Sequence, residues 1–218
     1  MHEKKDILTL IDADYHAQFD EWKKSRLGLL QSIGSTLTTF DEIELQSIFE
    51  AWDNSIKVAL QTDKIKPQLT GLMAFSIFQH FQENFDQIKQ PISLVYSLIW
   101  NKNVNVYKAA IQCIIWICKE SQDKSFLFQD PVSLAFDHIC TKKLKVYENA
   151  LYLIRKAQKY IPTYVSHLIL NQYQTLFPFS YSDNPILQDN ASHIIKLFLL
   201  NCSKRIHHHF FQQFFNNI

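Results

Sequence analysis

Apolar residues along this chain recur at spacings of three and four, the pattern of amphipathic helices, and strict alternation is rare. Tyr15, Phe19, Trp22, Leu29, Leu30 and Ile33 share one face of a helix expected over residues 15–33, with Asp14 as its cap and Gly34 as its end. Thr39, followed three residues later by Glu42, has the form of a capping box. The helix it opens runs to Leu60 and buries Leu45, Ile48, Phe49, Trp52 and Ile56. Pro67, as a first helical residue, starts a third helix to Phe85 carrying Leu72, Met73, Ile77, Phe78 and Phe81. Further on, Pro162 interrupts the pattern and Thr163 caps a helix to Phe177. A loop follows over Pro178–Asp183, Asn184-Pro185 restarts a helix, and Ser203 caps a last one over Lys204–Asn216.

Between these segments the same helical pair is written twice. Pro91–Ser121 overlays Pro131–Ile161 at a constant offset of 40 residues, with 10 of 31 positions identical. A fixed period of this length is what stacked helix pairs produce, because each pair must bury its apolar face against the next. In each copy a proline opens the first helix, with Asp130 as the cap before Pro131, and a polar turn follows at Asn101–Asn103 or Thr141–Lys143. The second helix then carries Val106, Ala110, Ile111, Ile114 and Ile117, or Val146, Ala150, Leu151 and Ile154. Ala110 and Ala150 are small among bulky neighbours, which suits a close helix crossing. Leu187–Ala191 (LQDNA) echoes Val146–Ala150 (VYENA) 41 residues on, so residues 163–202 form a third repeat.

The motif V-Y-K-A-A at Val106–Ala110, and V-Y-E-N-A at Val146–Ala150, resembles the corresponding stretch of HEAT and armadillo repeats. In HEAT repeats it usually reads Val-Arg and small residues, with an Asp three positions earlier. Here Tyr107 and Tyr147 stand in the Arg place and Asn103 and Lys143 in the Asp place, so the Asp–Arg ladder between repeats is absent. The resemblance implies an all-α domain over residues 1–218, a HEAT-like α-solenoid of three to four helix pairs. Residues 15–87 are its degenerate N-terminal helices, 91–121 and 131–161 its clear repeats, and 203–216 its closing helix. By the same analogy it implies a non-catalytic protein–protein interaction or scaffold module. Two alternatives stand beside it: a nucleic-acid-binding helical-repeat protein of the DNA-glycosylase type, and a structural subunit of a larger assembly that docks through Trp116 and the Phe-rich end (Phe210, Phe211, Phe214, Phe215).

Composition narrows the picture. Three glycines in 218 residues leave little material for tight β-turns or phosphate-cradling loops. No Walker A, G-x-G-x-x-G, G-x-S-x-G or H-E-x-x-H motif occurs, so no enzyme, cofactor or metal site is expected. The three consecutive histidines His207–His209 point about 100° apart on a helix and cannot share one metal. Asp12, Asp14 and His16 are explained as acids near a helix start. Cys113, Cys118, Cys140 and Cys202 lack metal or disulfide spacing, and most fall on apolar faces. Buried thiols and the absence of a signal or membrane-spanning stretch make a cytoplasmic protein the expectation.

One charge pattern has functional character. Lys142, Lys143 and Lys145 sit at the turn of the second copy, and Arg155, Lys156 and Lys159 follow on its second helix. The first copy has Ile115 and Trp116 where the second has Arg155 and Lys156. A protein partner is the primary expectation for this ridge and nucleic acid the secondary one. Trp116, within the apolar run Ile115–Ile117, is expected to meet a further helix or a partner.

Overall fold

The structure, a computed structural model, describes residues 7–12, 18–81, 89–120, 122–141 and 146–201. Among these residues all regular secondary structure is helical, so the chain is all-α. The helices group into two compact units, Met1–Gln122 and Asp123–Ile218, which divide the two sequence copies between them.

In the first unit the helices are α1 (Ile7–Asp12), α2 (Phe19–Leu37), α3 (Glu42–Gln61), α4 (Ile65–Phe81), α5 (Lys89–Leu98) and α6 (Val104–Glu120). Helix α3 packs on α4 and α5 on α6, while α3 also touches α5 and α4 touches α6. Helix α2 lies against both α4 and α6, and α1 against α3 and α4. Surrounded in this way, α4 is buried on every side from Gln68 to Gln79. This explains why its sequence is apolar nearly all round rather than along one stripe.

The second unit opens with a 3-10 stretch, Gln122–Phe128. It continues through α7 (Gln129–Cys140), α8 (Tyr147–Ala157), α9 (Pro162–Leu176) and α10 (Pro185–Asn201). Here α7 packs on α8 and α9 on α10, with α7 against α9 and α8 against α10. Four pairings thus recur: first helix on second helix within each pair, and first on first and second on second between adjoining pairs.

Several element boundaries differ from the sequence expectation, each for a local reason. Helix α2 does not end at Gly34 but continues to Leu37. Gly34 serves a close approach instead: a Cβ there would lie 3.3 Å from the Phe81 ring. The Asp14 cap, Tyr15 and His16 lie outside the described residues, and α2 is preceded by Gln18 without a side-chain cap. Thr39 does not open α3, because its hydroxyl donates to the Thr36 carbonyl at the end of α2. The capping box is formed by Asp41 and Glu44 instead, two residues later.

Pro67, Pro91 and Pro131 each sit at the third residue of α4, α5 and α7 rather than the first. The first four N–H groups of a helix have no intrahelical partner, so proline is tolerated throughout that turn. Asp130 consequently lies inside the first turn of α7, and residue Phe128 takes the cap position. The helical pattern is interrupted before Pro162, as expected, but Pro162 is itself the first residue of α9 and Ile161, not Thr163, takes the cap position. The expected loop after α9 contains a 3-10 turn, Phe177–Tyr181. Asn184 caps α10 as its sequence suggests, its Oδ1 accepting from the N–H groups of Ile186 and Leu187 at 2.9 and 3.3 Å. The expected helix over Lys204–Asn216, with His207–His209 and its phenylalanines, lies outside the described residues, as does Cys202. Cys113 and Cys118 are buried, whereas Cys140 is exposed and points its thiol at Gln172 Oε1, 3.1 Å away.

Ala110 and Ala150 are both fully buried. Another close contact is one that helical periodicity does not reveal: a Cβ on Gly71 of α4 would lie 3.0 Å from the Ala59 Cβ and 3.2 Å from Leu60 of α3. Replacing Gly71 with Ala, or Ala110 or Ala150 with Leu, is expected to destabilise by about 1–3 kcal/mol through overpacking. Gly28 has nothing within 4 Å of an added Cβ, so Gly28→Ala should stabilise by about 0.5–1 kcal/mol through helix propensity. Urea melts of these variants measure both signs; a neutral Gly71→Ala would remove that contact from the core.

Candidate partner-binding surface

The second helices of successive pairs, α4 with α6 and α8 with α10, lie side by side and each couple presents a face. In the first unit that face is covered by α2. The contact stripe on α2 runs Trp22, Arg26, Leu29, Ile33 and Leu37, all buried, at the three- and four-residue spacing of one helix side. The Trp22 indole N–H donates to the Leu69 carbonyl of α4 at 3.0 Å. Its ring stacks on Trp116 of α6, centroids 5.2 Å apart. Trp116 thus does meet a further helix, and its neighbours Ile115 and Ile117 are buried.

Arg26 completes this attachment. Its Nη2 donates to the Ser76 carbonyl at 2.9 Å and to Glu120 Oε1 at 2.7 Å, and its Nε donates to Ser76 Oγ at 3.1 Å. The guanidinium also lies 4.6 Å from the centroid of the Trp116 ring, a cation–π arrangement. His80 Nδ1 approaches the same Glu120 oxygen at 3.3 Å. Burying a cation is costly unless it is paired and its donors are satisfied, and these partners meet that need. Arg26 is legible in the sequence only as a basic residue at the four-residue interval after Trp22, within an otherwise apolar stripe.

The basic residues predicted on the second copy are divided by the structure. Lys142, Lys143 and Lys145 lie outside the described residues. Arg155 does not stand on a solvated ridge: it reaches α10, where it pairs with Asp189 and donates to Asn190 Oδ1 at 3.1 Å. Lys156 places its ammonium 5.1 Å from the centroid of the Tyr152 ring. Helix α8 ends at Ala157, and Lys159 is exposed in the turn that closes it, its N–H donating to the Lys156 carbonyl. Gln158 is buried and donates to the Ile194 carbonyl of α10 at 3.2 Å.

These contacts set the register of α8 against α10: 155 opposite 189–190, and 158 opposite 194. They bring His193 of α10 into the electrostatic neighbourhood of Arg155 and Lys159, together with the exposed Lys196 on its own helix. Neither residue stands out in the sequence, because both lie more than 30 positions downstream, on the polar side of a different helix. Burial first, then Arg155, with Lys159 and Lys196 adding, holds the His193 imidazole below its ordinary range, while Asp189 acts in the opposite direction. The charge balance of the two units is also opposed. Residues 1–122 hold 12 basic and 15 acidic side chains, net −3, and residues 123–218 hold 10 and 6, net +4.

Among the described residues no three His, Cys, Asp or Glu side chains are grouped to hold a metal ion, and no helix is long and apolar enough to cross a membrane. Of the acids and histidine weighed in the sequence as a ligand cluster, Asp14 and His16 lie outside the described residues.

Two measurements test this geometry. Glu120→Ala leaves the Arg26 guanidinium short of its carboxylate. The side chains are 10% and 30% exposed, so the loss should be about 2 kcal/mol, below that of a fully buried pair. An unchanged melting temperature would mean that α2 is seated by its apolar stripe alone. A histidine with a lowered folded pKa resists protonation, so its stabilising contribution is full above the unfolded pKa, about 6.5, and declines as pH falls below it. Stability should therefore fall less between about pH 7 and pH 5 in His193→Gln than in the parent chain; equal slopes would show that His193 titrates as it does when unfolded.

Comparison of the chain with protein-family models, with curated proteins and with solved structures finds no match.

Proposed function

We propose that the chain is a non-catalytic protein–protein interaction or scaffold module whose helix pairs form an α-solenoid of HEAT-like type. The observation that carries this is the seating of α2 on the adjoining α4 and α6. A face made of two parallel-packed second helices takes a third helix through an aromatic stack, an indole hydrogen bond and a satisfied guanidinium. Faces of this kind are how stacked helix pairs bind extended or helical segments. Support for the repeat comes from the four helix pairings that recur in both units. It comes also from α5 and α7, which begin at Lys89 and Gln129, 40 residues apart like the sequence copies. The setting we propose is cytoplasmic, in keeping with free thiols at Cys113, Cys118 and Cys140.

The test is native purification of the tagged full chain from the cells that make it, with and without nuclease, followed by mass determination of the complex. The expected outcome is a protein partner in fixed stoichiometry that survives nuclease. A chain recovered alone, or one whose companion is nucleic acid, would overturn the proposal.

A further inference from the structure

We propose that the face shared by α8 and α10 is the docking site of an acidic amphipathic helix from a protein partner. The inference rests on the interaction-module reading and gives that module's partner a chemistry. Its template is inside the molecule. On α6 the residues that receive α2 are Asn105, Trp116 and Glu120, which meet the Phe19 N–H, the Trp22 ring and the Arg26 guanidinium. Shifted by the 40-residue offset, Trp116 becomes Lys156, Ile115 becomes Arg155 and Glu120 becomes Tyr160. The host carboxylate that takes a guest cation in the first unit is thus lost in the second, where a tyrosine stands in its place and the apolar pair before it has become cationic.

Arg155 is held in place by Asp189 and Asn190, and Lys156 extends over Tyr152. Lys159 and Lys196 are exposed. One turn beyond Lys196 on the same side of α10, Leu200 is 70% exposed. A guest that matches this arrangement carries carboxylates toward the lysines and an apolar residue toward Leu200, the two faces of an amphipathic helix. Complementary charge then selects the partner and speeds encounter, while apolar contact retains it. A phosphate backbone fits less well. Affinity for it grows with the number of phosphates neutralised, and it has no use for an exposed leucine.

The probe is a fluorescent peptide of residues 18–38 of this chain carrying Lys23→Glu, Lys24→Glu and Arg26→Glu, which keeps the docking spacing of α2 and makes its charge acidic. Binding to the full chain is followed by anisotropy at about 50 mM and about 250 mM salt. The unaltered peptide and a duplex DNA serve as competitors. The acidic peptide should bind at low salt and weaken by about tenfold or more at the higher salt. Lys159→Glu with Lys196→Glu should abolish binding, and Lys159→Ala with Lys196→Ala should weaken it, without a change in the circular dichroism melt. No binding at low salt, or binding indifferent to both double variants, would overturn the proposal. Preference for DNA through the same lysines would overturn it too and assign the face to phosphate. If the peptide fails while the chain still purifies with a nuclease-resistant protein partner, only this inference falls; if both fail, the interaction-module reading falls with it.

Discussion

Helices in this protein approach one another closely where a residue is too small to hold them apart, and the rest of the structure depends on that constraint. Gly71 lets α4 settle against Ala59 and Leu60 of α3, and Gly34 lets the Phe81 ring press on α2. Ala110 and Ala150, at the same place in the two sequence copies, are both fully buried. Large side chains, Phe75, Phe78, Phe128 and Phe136 among them, are buried between the helices. A chain with three glycines has spent two of them on such contacts.

Against that packed background Arg26 stands out as a charge placed where apolar residues belong. Its cost is offset by Ser76, Glu120 and the face of Trp116 together, since no single partner would satisfy a guanidinium with five N–H donors. The arrangement gives α2 a unique register on α4 and α6. An apolar stripe alone would tolerate a slip by one turn, whereas a slip here would leave a buried cation unpaired. The cluster joins three helices far apart in sequence, so it also makes the first unit cohesive.

The two copies of the repeat share their inward-facing residues and differ in what they present outward. Tyr107 and Tyr147, Ala110 and Ala150, Ile114 and Ile154 are all buried. At the outward positions Ile115 and Trp116 give way to Arg155 and Lys156. In the first unit Trp116 has a helix of the chain's own upon it, and Ile115 is buried. In the second unit the corresponding positions are cationic, and the packing of α8 on α10 adds His193 and Lys196 to them. Packing constrains the volume of the inward positions and leaves the charge of the outward ones free to differ.

The sequence by itself determined the helical class, the existence and approximate extent of nearly every helix, the 40-residue offset and the burial of Ala110 and Ala150. All of these follow from periodicity and residue size, which are local properties of the chain. Caps and prolines were legible to within about two residues, because several polar residues in a row compete for the cap and proline fits anywhere in a first turn. The tertiary structure alone decided that Trp116 is covered by α2 and that Arg26 is its buried companion. It alone turned Arg155 toward Asp189 and brought His193 within electrostatic reach of Arg155 and Lys159. Each of those facts depends on which side of one helix faces which side of another. That choice is made by volume and charge summed over the whole packed unit, and it leaves no periodic trace in the sequence.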